Sequence, residues 1–362
     1  MILHSVGPAP GALAAPGISH EIAAEGHRVK VVLEPNARHF VGPAAFEHPV
    51  RPVDEPSSGT PEAALYAPAT AGMLARLAHG LGEGAVGARL VLVAPDLDLS
   101  TAEHPAVKKN LELLRESGCR VVEGCSGAMA PAREVVAGFL GGLGGPMSGM
   151  RLLVTAGGTH EPIDSVRFIG NRSSGKMGLA VAREALRLGA EVTAVMANVE
   201  AEEPGAETHH VETVEDLRTE VLKRAEEADA LVMSAAVSDF TPASPVREKM
   251  RRGESDLSLE LAPTADILKA VRERYPDLFV VGFAATHGDP VADARDKLGS
   301  KGVNVVVGND ISRAGIGFGT EENEVYVVGK KGERFVPRAS KRAVARAILE
   351  RMLAEISEER QG

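Results

Sequence analysis

Residues 150–196 read MRLLVTAGGTHEPIDSVRFIGNRSSGKMGLAVAREALRLGAEVTAVM, and the fold is decided here. The apolar run 152–154 reads as a buried parallel strand. It enters a glycine-rich turn carrying Gly157 and Gly158. A second small-residue turn follows at 171–178, with Ser173, Ser174 and Gly175. Leu179, Val181, Ala182, Ala185, Leu186 and Leu188 then recur at helical spacing, Gly189 stops the helix, and 191–196 is the next strand. A long loop thus stands before a helix N-terminus. That position offers backbone N–H groups and a positive dipole end to an anion, and small residues admit a ligand close to the backbone. The loop contains no G-x-G-x-x-G and no complete G-x-x-x-x-G-K-[ST], so neither the dinucleotide fingerprint nor the P-loop is present in it. With Arg167 and Asn171 beside the second turn, it reads as an anion site rather than a bare strand-to-helix turn.

Composition bounds the rest. The 362 residues suffice for two domains, and 44% apolar residues allow a sizeable core. Aromatic residues are 3% with no tryptophan, which argues against stacking platforms for single strands, and a net charge of −10 argues against nucleic acid or membrane surfaces as partners. Two close cysteines, Cys119 and Cys125, indicate no disulfide framework and suit a reducing compartment. The N-terminus lacks a basic region and has early prolines, so it reads poorly as a signal peptide, and no apolar run approaches a membrane span. The expected location is cytoplasmic.

Along the first half, strands at 2–6, 28–33, 63–66, 89–94 and 119–122 alternate with helices at 12–25, 73–81, 105–117 and 130–143. Residues 40–46 read as a short helix or turn, 49–59 as a loop and 141–149 as a linker. In the second half, helices at 217–226, 292–301 and 339–358 alternate with strands at 230–233, 257–261, 280–285 and 303–307, and a hairpin-like segment at 323–328 follows. Alternation of this kind implies parallel sheets covered by helices on both faces.

Several stretches match a known family in order. TAGGTHEPIDSVRFIGNRSSGKMG resembles the nucleotide-binding opening of the phosphopantothenate–cysteine ligases of coenzyme A biosynthesis, which in bacteria are often fused behind a flavin-dependent phosphopantothenoylcysteine decarboxylase. Ser234-Ala235-Ala236-Val237-Ser238-Asp239 resembles their AAVADY loop, Lys249-Met250-Arg251-Arg252 their KIKK flap, Ala265-Asp266-Ile267-Leu268 their NPDIL segment, and Val281-Gly282-Phe283-Ala284-Ala285 their VGFAAE strand. In the first half, Tyr66 with APATAG after it, ARHFVGP from Ala37 and HPAVKKNLELLRESG from His104 resemble the decarboxylases. The resemblance implies a flavodoxin-like flavoprotein-type domain over 1–145 and a Rossmann-like ligase domain over 150–362, both doubly wound.

For the ligase half the resemblance implies that Asn171 positions the activated acyl group, Arg167 holds 4′-phosphopantothenate and Lys249 acts from the flap. Ser234, Ala235, Ala236, Asp239, Ala265, Asp266, Ile267, Leu268, Phe283, Lys297 and Lys301 would bind CTP with the glycine-rich turns. Asp239 would also meet Mg²⁺. L-cysteine is the second substrate, and a homodimer or larger homo-oligomer is expected. Plainer readings exist: Asp239 as a turn cap, Phe283 as core, the flap as an exposed basic run, and Lys297 with Lys301 as a solvated helix face. In the decarboxylase half the residues that carry the family's chemistry are changed. SSGTPE at 57–62 stands where a histidine is expected, Pro95-Asp96-Leu97-Asp98 replaces PAMN, and the cysteine-bearing flap is missing after Ser126-Gly127. These departures imply lost decarboxylase activity and count against FMN. The competing classes are an NAD(P)-dependent oxidoreductase on a similar sheet and a non-catalytic nucleotide or flavin sensor.

Overall fold

The computed structural model describes residues 1–48, 50, 52–53, 60–82, 85, 87–251, 258–313, 317 and 319–359. The chain forms two compact units, Met1–Gly145 and Pro146–Gly362.

In the first unit, β1 (Ile2–Val6), β2 (Val29–Leu33), β3 (Pro52–Val53), β4 (Ala63–Ala69), β5 (Leu90–Pro95) and β6 (Arg120–Val121) form one parallel sheet of order β3-β2-β1-β4-β5-β6. Helices α1 (Ala15–Ala24) and α5 (Ala132–Leu143) cover one face through Ile18, Ile22, Val135 and Phe139. Helices α2 (Ala71–Ala78) and α4 (Pro105–Glu116) cover the other through Met73, Leu74, Leu111 and Leu114. A one-turn helix, α3 (Leu99–Ala102), precedes α4. The two-residue β3 lies inside the stretch read as loop, where Pro52 and Val53 pair with Val31 and Val32. Without that edge strand the order is the flavodoxin-like one. The expected helix at 12–25 is a 3-10 turn, Pro10–Ala14, running into α1. Residues 57–59, part of the stretch standing where a histidine was expected, lie outside the described residues.

In the second unit, β7 (Arg151–Gly157) leads through the hairpin β8 (His160–Pro162) and β9 (Phe168–Gly170) to α6 (Lys176–Arg187), β10 (Glu191–Ala197), β11 (Glu207–Val211), α7 (Val214–Ala225) and β12 (Ala230–Met233). A second hairpin, β13 (Phe240–Pro242) with β14 (Leu261–Pro263), precedes α8 (Ile267–Arg274). Then follow β15 (Phe279–Thr286), α9 (Pro290–Lys301), β16 (Val305–Asp310), β17 (Glu322–Gly329), β18 (Gly332–Ser340) and α10 (Lys341–Glu359). The main sheet has the order β11-β10-β7-β12-β15-β16-β17-β18, parallel up to β16 and antiparallel at β17 and β18.

Strand periodicity sorts the core. Leu152, Val154, Val232, Val281, Val305 and Val307 point to the face covered by α6 and α10. Leu153, Leu231, Val280 and Val306 point to the face covered by α7, α8 and α9. Burial on both faces is why these strands read as unbroken apolar runs. The hairpins β8–β9 and β13–β14 and the edge strand β11 are short and half-polar, so periodicity does not mark them. The strand expected at 257–261 starts instead at Leu261, because its partner β13 supplies only three pairing residues; Leu257 lies outside the described residues.

Candidate functional site

In the second unit the chain leaves β7 for β10 on one side and takes up β12 on the other, so the sheet reverses its winding between β7 and β12. A crevice at the carboxyl ends of the strands is expected at that point. A cleft of about 780 Å³ opens there. Asn171 and the Ser173–Gly175 turn line it from α6, 234–237 and Asp239 from β12, Ala265 to Leu268 from α8, Phe283 from β15, and Lys297 and Lys301 from α9. Residues spread over 130 positions of sequence thus meet because parallel strands end together.

The β7 and β12 ends are tied to each other. The isolated pair Gly158 and Ala236 continues their parallel ladder, Ala235 N–H donates to Thr155 Oγ1 at 3.1 Å, and Ser234 Oγ donates to Thr155 O. Asn171 Nδ2 donates to Val237 O at 3.0 Å, anchoring the second turn to the 234–239 loop. Gly157 and Gly158 are buried and do not line the cleft. Gly158 N–H donates to Ala197 O and Thr159 N–H to Ala236 O, so the amides of this first turn are committed to neighbouring strands. Gly175 precedes α6 at φ +71°, a backbone region that favours glycine, and no side chain caps the helix.

The lysines of α9 do not simply face solvent. Lys301 Nζ donates to Asp266 Oδ2 at 2.6 Å, and Lys297 Nζ donates to Phe283 O. Asp266 also accepts from Lys269 N–H at 3.0 Å, capping α8. Burial opposes ionisation of Asp266, but Lys301 and the α8 amide outweigh it and hold its carboxyl below the ordinary range. Burial, reinforced by Lys301, pushes the Lys297 ammonium below its ordinary value against the pull of Asp239 and Asp266. An anion entering here would relieve that cost. Asp239 is exposed at the lip, where its carbonyl accepts from Thr264 N–H.

Arg167 and Lys249 do not line the cleft. Arg167 Nη1 pairs with the Asp164 carboxylate at 2.8 Å and reaches Met250 O at 3.4 Å. Asp164, 4% exposed, also accepts N–H groups from Val166, Arg167 and Met250. This carboxylate fastens the segment carrying exposed Lys249 to the β8–β9 turn. Arg252, the last residue of the flap motif, lies outside the described residues. Sequence reading passed over Asp164, and over Lys176, Asn309, Asn323 and Lys341, which also line the cleft. Lys176 carried a signal: Gly170 stands five residues before Gly175-Lys176, as in a P-loop, with Met177 where the hydroxyl belongs. Tyr326 and Lys330 have a Tyr-x-x-x-Lys spacing, but Tyr326 lies on β17 with Phe335 against its ring and is outside the cleft.

A switch-point cleft lined with lysines beside a helix N-terminus makes this unit an α/β domain whose crevice suits an anionic ligand. Residues 147–356 match the family described as the DNA/pantothenate metabolism flavoprotein C-terminal domain. The whole chain is 32% identical to the coenzyme A biosynthesis bifunctional protein CoaBC of Bacillus subtilis, over 93% of this chain and 92% of that one, and 35% identical to CoaBC of Mycobacterium tuberculosis, over 92% and 91%. The crystal structure of the C-terminal domain of a CoaBC is similar at 33% identity and a TM-score of 0.51, covering 59% of this chain and 98% of that one. The chain belongs to the family of coenzyme A biosynthesis bifunctional proteins.

Proposed function

We propose that the second unit joins 4′-phosphopantothenate to L-cysteine at the expense of CTP, and that the first unit has lost its decarboxylase activity. The observation that carries the ligase reading is the convergence of the α6 N-terminus, Asn171 and the α9 lysines on one cleft. A carboxylate has no good leaving group. Its oxygen bonds to the α-phosphorus of CTP, the bond to the bridging oxygen breaks, and pyrophosphate departs with the electron pair. The cysteine amine then attacks the acyl-cytidylate carbonyl, losing a proton, and CMP departs. Such a site needs to assemble anions, neutralise them and exclude water, which calls for amides and cations rather than a nucleophilic triad. Asn171, fixed on Val237 O, orients the acyl group, while Arg167 and Lys249 bring cations from the hairpin and flap.

Among the described residues no three potential ligands cluster to hold a metal by themselves. One carboxylate together with substrate phosphates is an ordinary magnesium environment, and Asp239 fits as the protein ligand; the ion would supply charge neutralisation to the phosphates. The flavin does not fit. Pro8 and Pro10 remove two amides from the loop after β1. Gly11 N–H donates to Asp96 Oδ2 at 2.6 Å, and Met129 N–H to Asp96 Oδ1 at 3.1 Å. A phosphate at that loop would meet a carboxylate already holding its donors. Asp98 is likewise committed: the Ser100 and Thr101 hydroxyls and the Thr101 amide hold its carboxyl well below the usual range.

Exposed Val166, Phe168, Phe240 and Leu261 stand on the two small hairpins, and a homodimer formed through this face would cover them. Pyrophosphate release with CTP, Mg²⁺, 4′-phosphopantothenate and L-cysteine tests the reading. Cysteine-dependent product is expected, with Asn171→Ala slower on the order of 10²-fold, from a colourless protein. A flat trace with every nucleotide would sink the ligase; a stoichiometric flavin spectrum would sink the account of the first unit.

A further inference from the structure

Two helices begin at the same wall of the cleft, and each begins with a lysine. Lys176 opens α6 and Lys341 opens α10, and neither helix has an acidic residue in its first turn. Both lysines line the cleft. Lys341 is only 7% exposed; its Nζ donates to Gly317 O at 3.0 Å, and its N–H to Glu321 O at 3.0 Å. Lys176 Nζ donates to Gly319 O at 3.1 Å and to the Glu321 carboxylate. Two ammonium groups and two positive helix ends therefore share one corner, with Glu321 as the carboxylate that answers them. The Glu321 side chain is 82% exposed, so its neutralising effect is screened by water. Burial, and then Lys176, push the Lys341 ammonium below its ordinary value. Holding a nine-tenths-buried ammonium beside a second one is costly unless an anion joins them. The spacing of Gly170, Gly175 and Lys176 adds a second argument, because a lysine opening a helix after such a turn is placed to meet terminal phosphates.

We propose that Lys341 and Lys176 form the polyphosphate corner of the cleft, holding the β- and γ-phosphates of the nucleotide and the pyrophosphate as it leaves. This rests on the nucleotide-ligase reading. In the activating step negative charge grows on the oxygen bridging the α- and β-phosphorus atoms, and cations at the departing end stabilise it. Glu321 occupies Lys176 until phosphate replaces it. The α-phosphate lies beyond this pair, so the corner distinguishes CTP from CMP.

Calorimetric titration of the full chain with CTP, inorganic pyrophosphate and CMP, each with Mg²⁺, tests this. Lys176→Met and Lys341→Met should each weaken CTP and pyrophosphate on the order of tenfold and leave CMP within about twofold, with the KM for CTP rising in parallel. Glu321→Gln should tighten pyrophosphate. Lys176 is the more exposed lysine, so Lys176→Met carries the test alone if Lys341→Met does not fold. Equal losses for CTP and CMP, or none for CTP, would overturn the corner while leaving the ligase intact. A wild-type protein that binds none of the three probes would overturn the ligase reading itself.

Discussion

Gly178 and Gly299 are both helical glycines, and the same substitution should act on them in opposite directions. A Cβ on Gly178 would lie 2.4 Å from Ala156 Cβ, 2.6 Å from Ser234 Oγ and 2.8 Å from Thr155 O. Carbon atoms in contact ordinarily stand about 3.5–4.0 Å apart, so α6 must withdraw from β7 by about 1 Å. Two of the three obstacles belong to β7, whose neighbours on both sides fix it, so the helix has to give. Overpacking of this kind costs about 1–3 kcal/mol. Disturbing the bond from Ser234 to Thr155 O adds about 1 kcal/mol, and the better helix propensity of alanine returns about 1 kcal/mol. Gly178→Ala should therefore destabilise the second unit by about 2 kcal/mol. Around Gly299 a Cβ meets nothing within 4 Å, and only the propensity remains. Gly299→Ala should stabilise by about 0.5–1 kcal/mol. The chain has no tryptophan, so far-UV circular dichroism in urea is the natural readout. The Gly178→Ala midpoint should fall by about 1 M and the Gly299→Ala midpoint should rise. CTP affinity should drop in Gly178→Ala, because the N-terminus of α6 moves. An unchanged midpoint in Gly178→Ala, or matching shifts in both variants, would refute the close packing of α6 on the switch point.

Two further outcomes follow from buried charge. His4 is fully buried between Ser19 Oγ and Ala67 O, and burial lowers its pKa from 6.5 to about 4. Its neutral form stabilises the first unit above pH 6.5, and that stability is lost as pH falls from 6.5 toward 4, since only the unfolded chain takes up the proton there. Denaturation midpoints measured across this window should slope more steeply in wild type than in His4→Asn; equal slopes would exclude His4 as the source. Glu184, 1% exposed on α6, accepts from Arg346 Nη1 at 2.7 Å and Arg342 Nε at 3.3 Å on α10, with Arg187 Nε at 3.6 Å. Glu184→Ala should cost about 2–3 kcal/mol by thermal melting, less than a fully buried pair because Arg342 and Arg346 reach solvent, and a melt equal to wild type would mean the cluster is energetically idle.

The sequence by itself determined the α/β class, because strands such as 152–154 and 280–281, buried on both faces, cannot carry polar residues and so read as apolar runs. It also picked out the turn before α6 as the place for an anion, and glycine at 175 suits the positive φ that this turn adopts. The family was legible in short motifs whose spacing is fixed by the loops that carry them. Tertiary structure decided what periodicity cannot carry. The three-residue strands of the two hairpins exist only because each has a partner. The carboxylate of Asp96 became an internal counterpart to the Gly11 amide only when the ends of β1 and β5 came together. Gly157-Gly158, which reads as a ligand loop, is buried outside the cleft, with the Gly158 amide paired to a neighbouring strand. Lys341 lies 165 residues from Lys176, and no local pattern joins them; their shared corner arises because α6 and α10 pack on the same face of one sheet. Local sequence fixes which backbone shapes are affordable, whereas the charge at a site is a sum over every element that ends there.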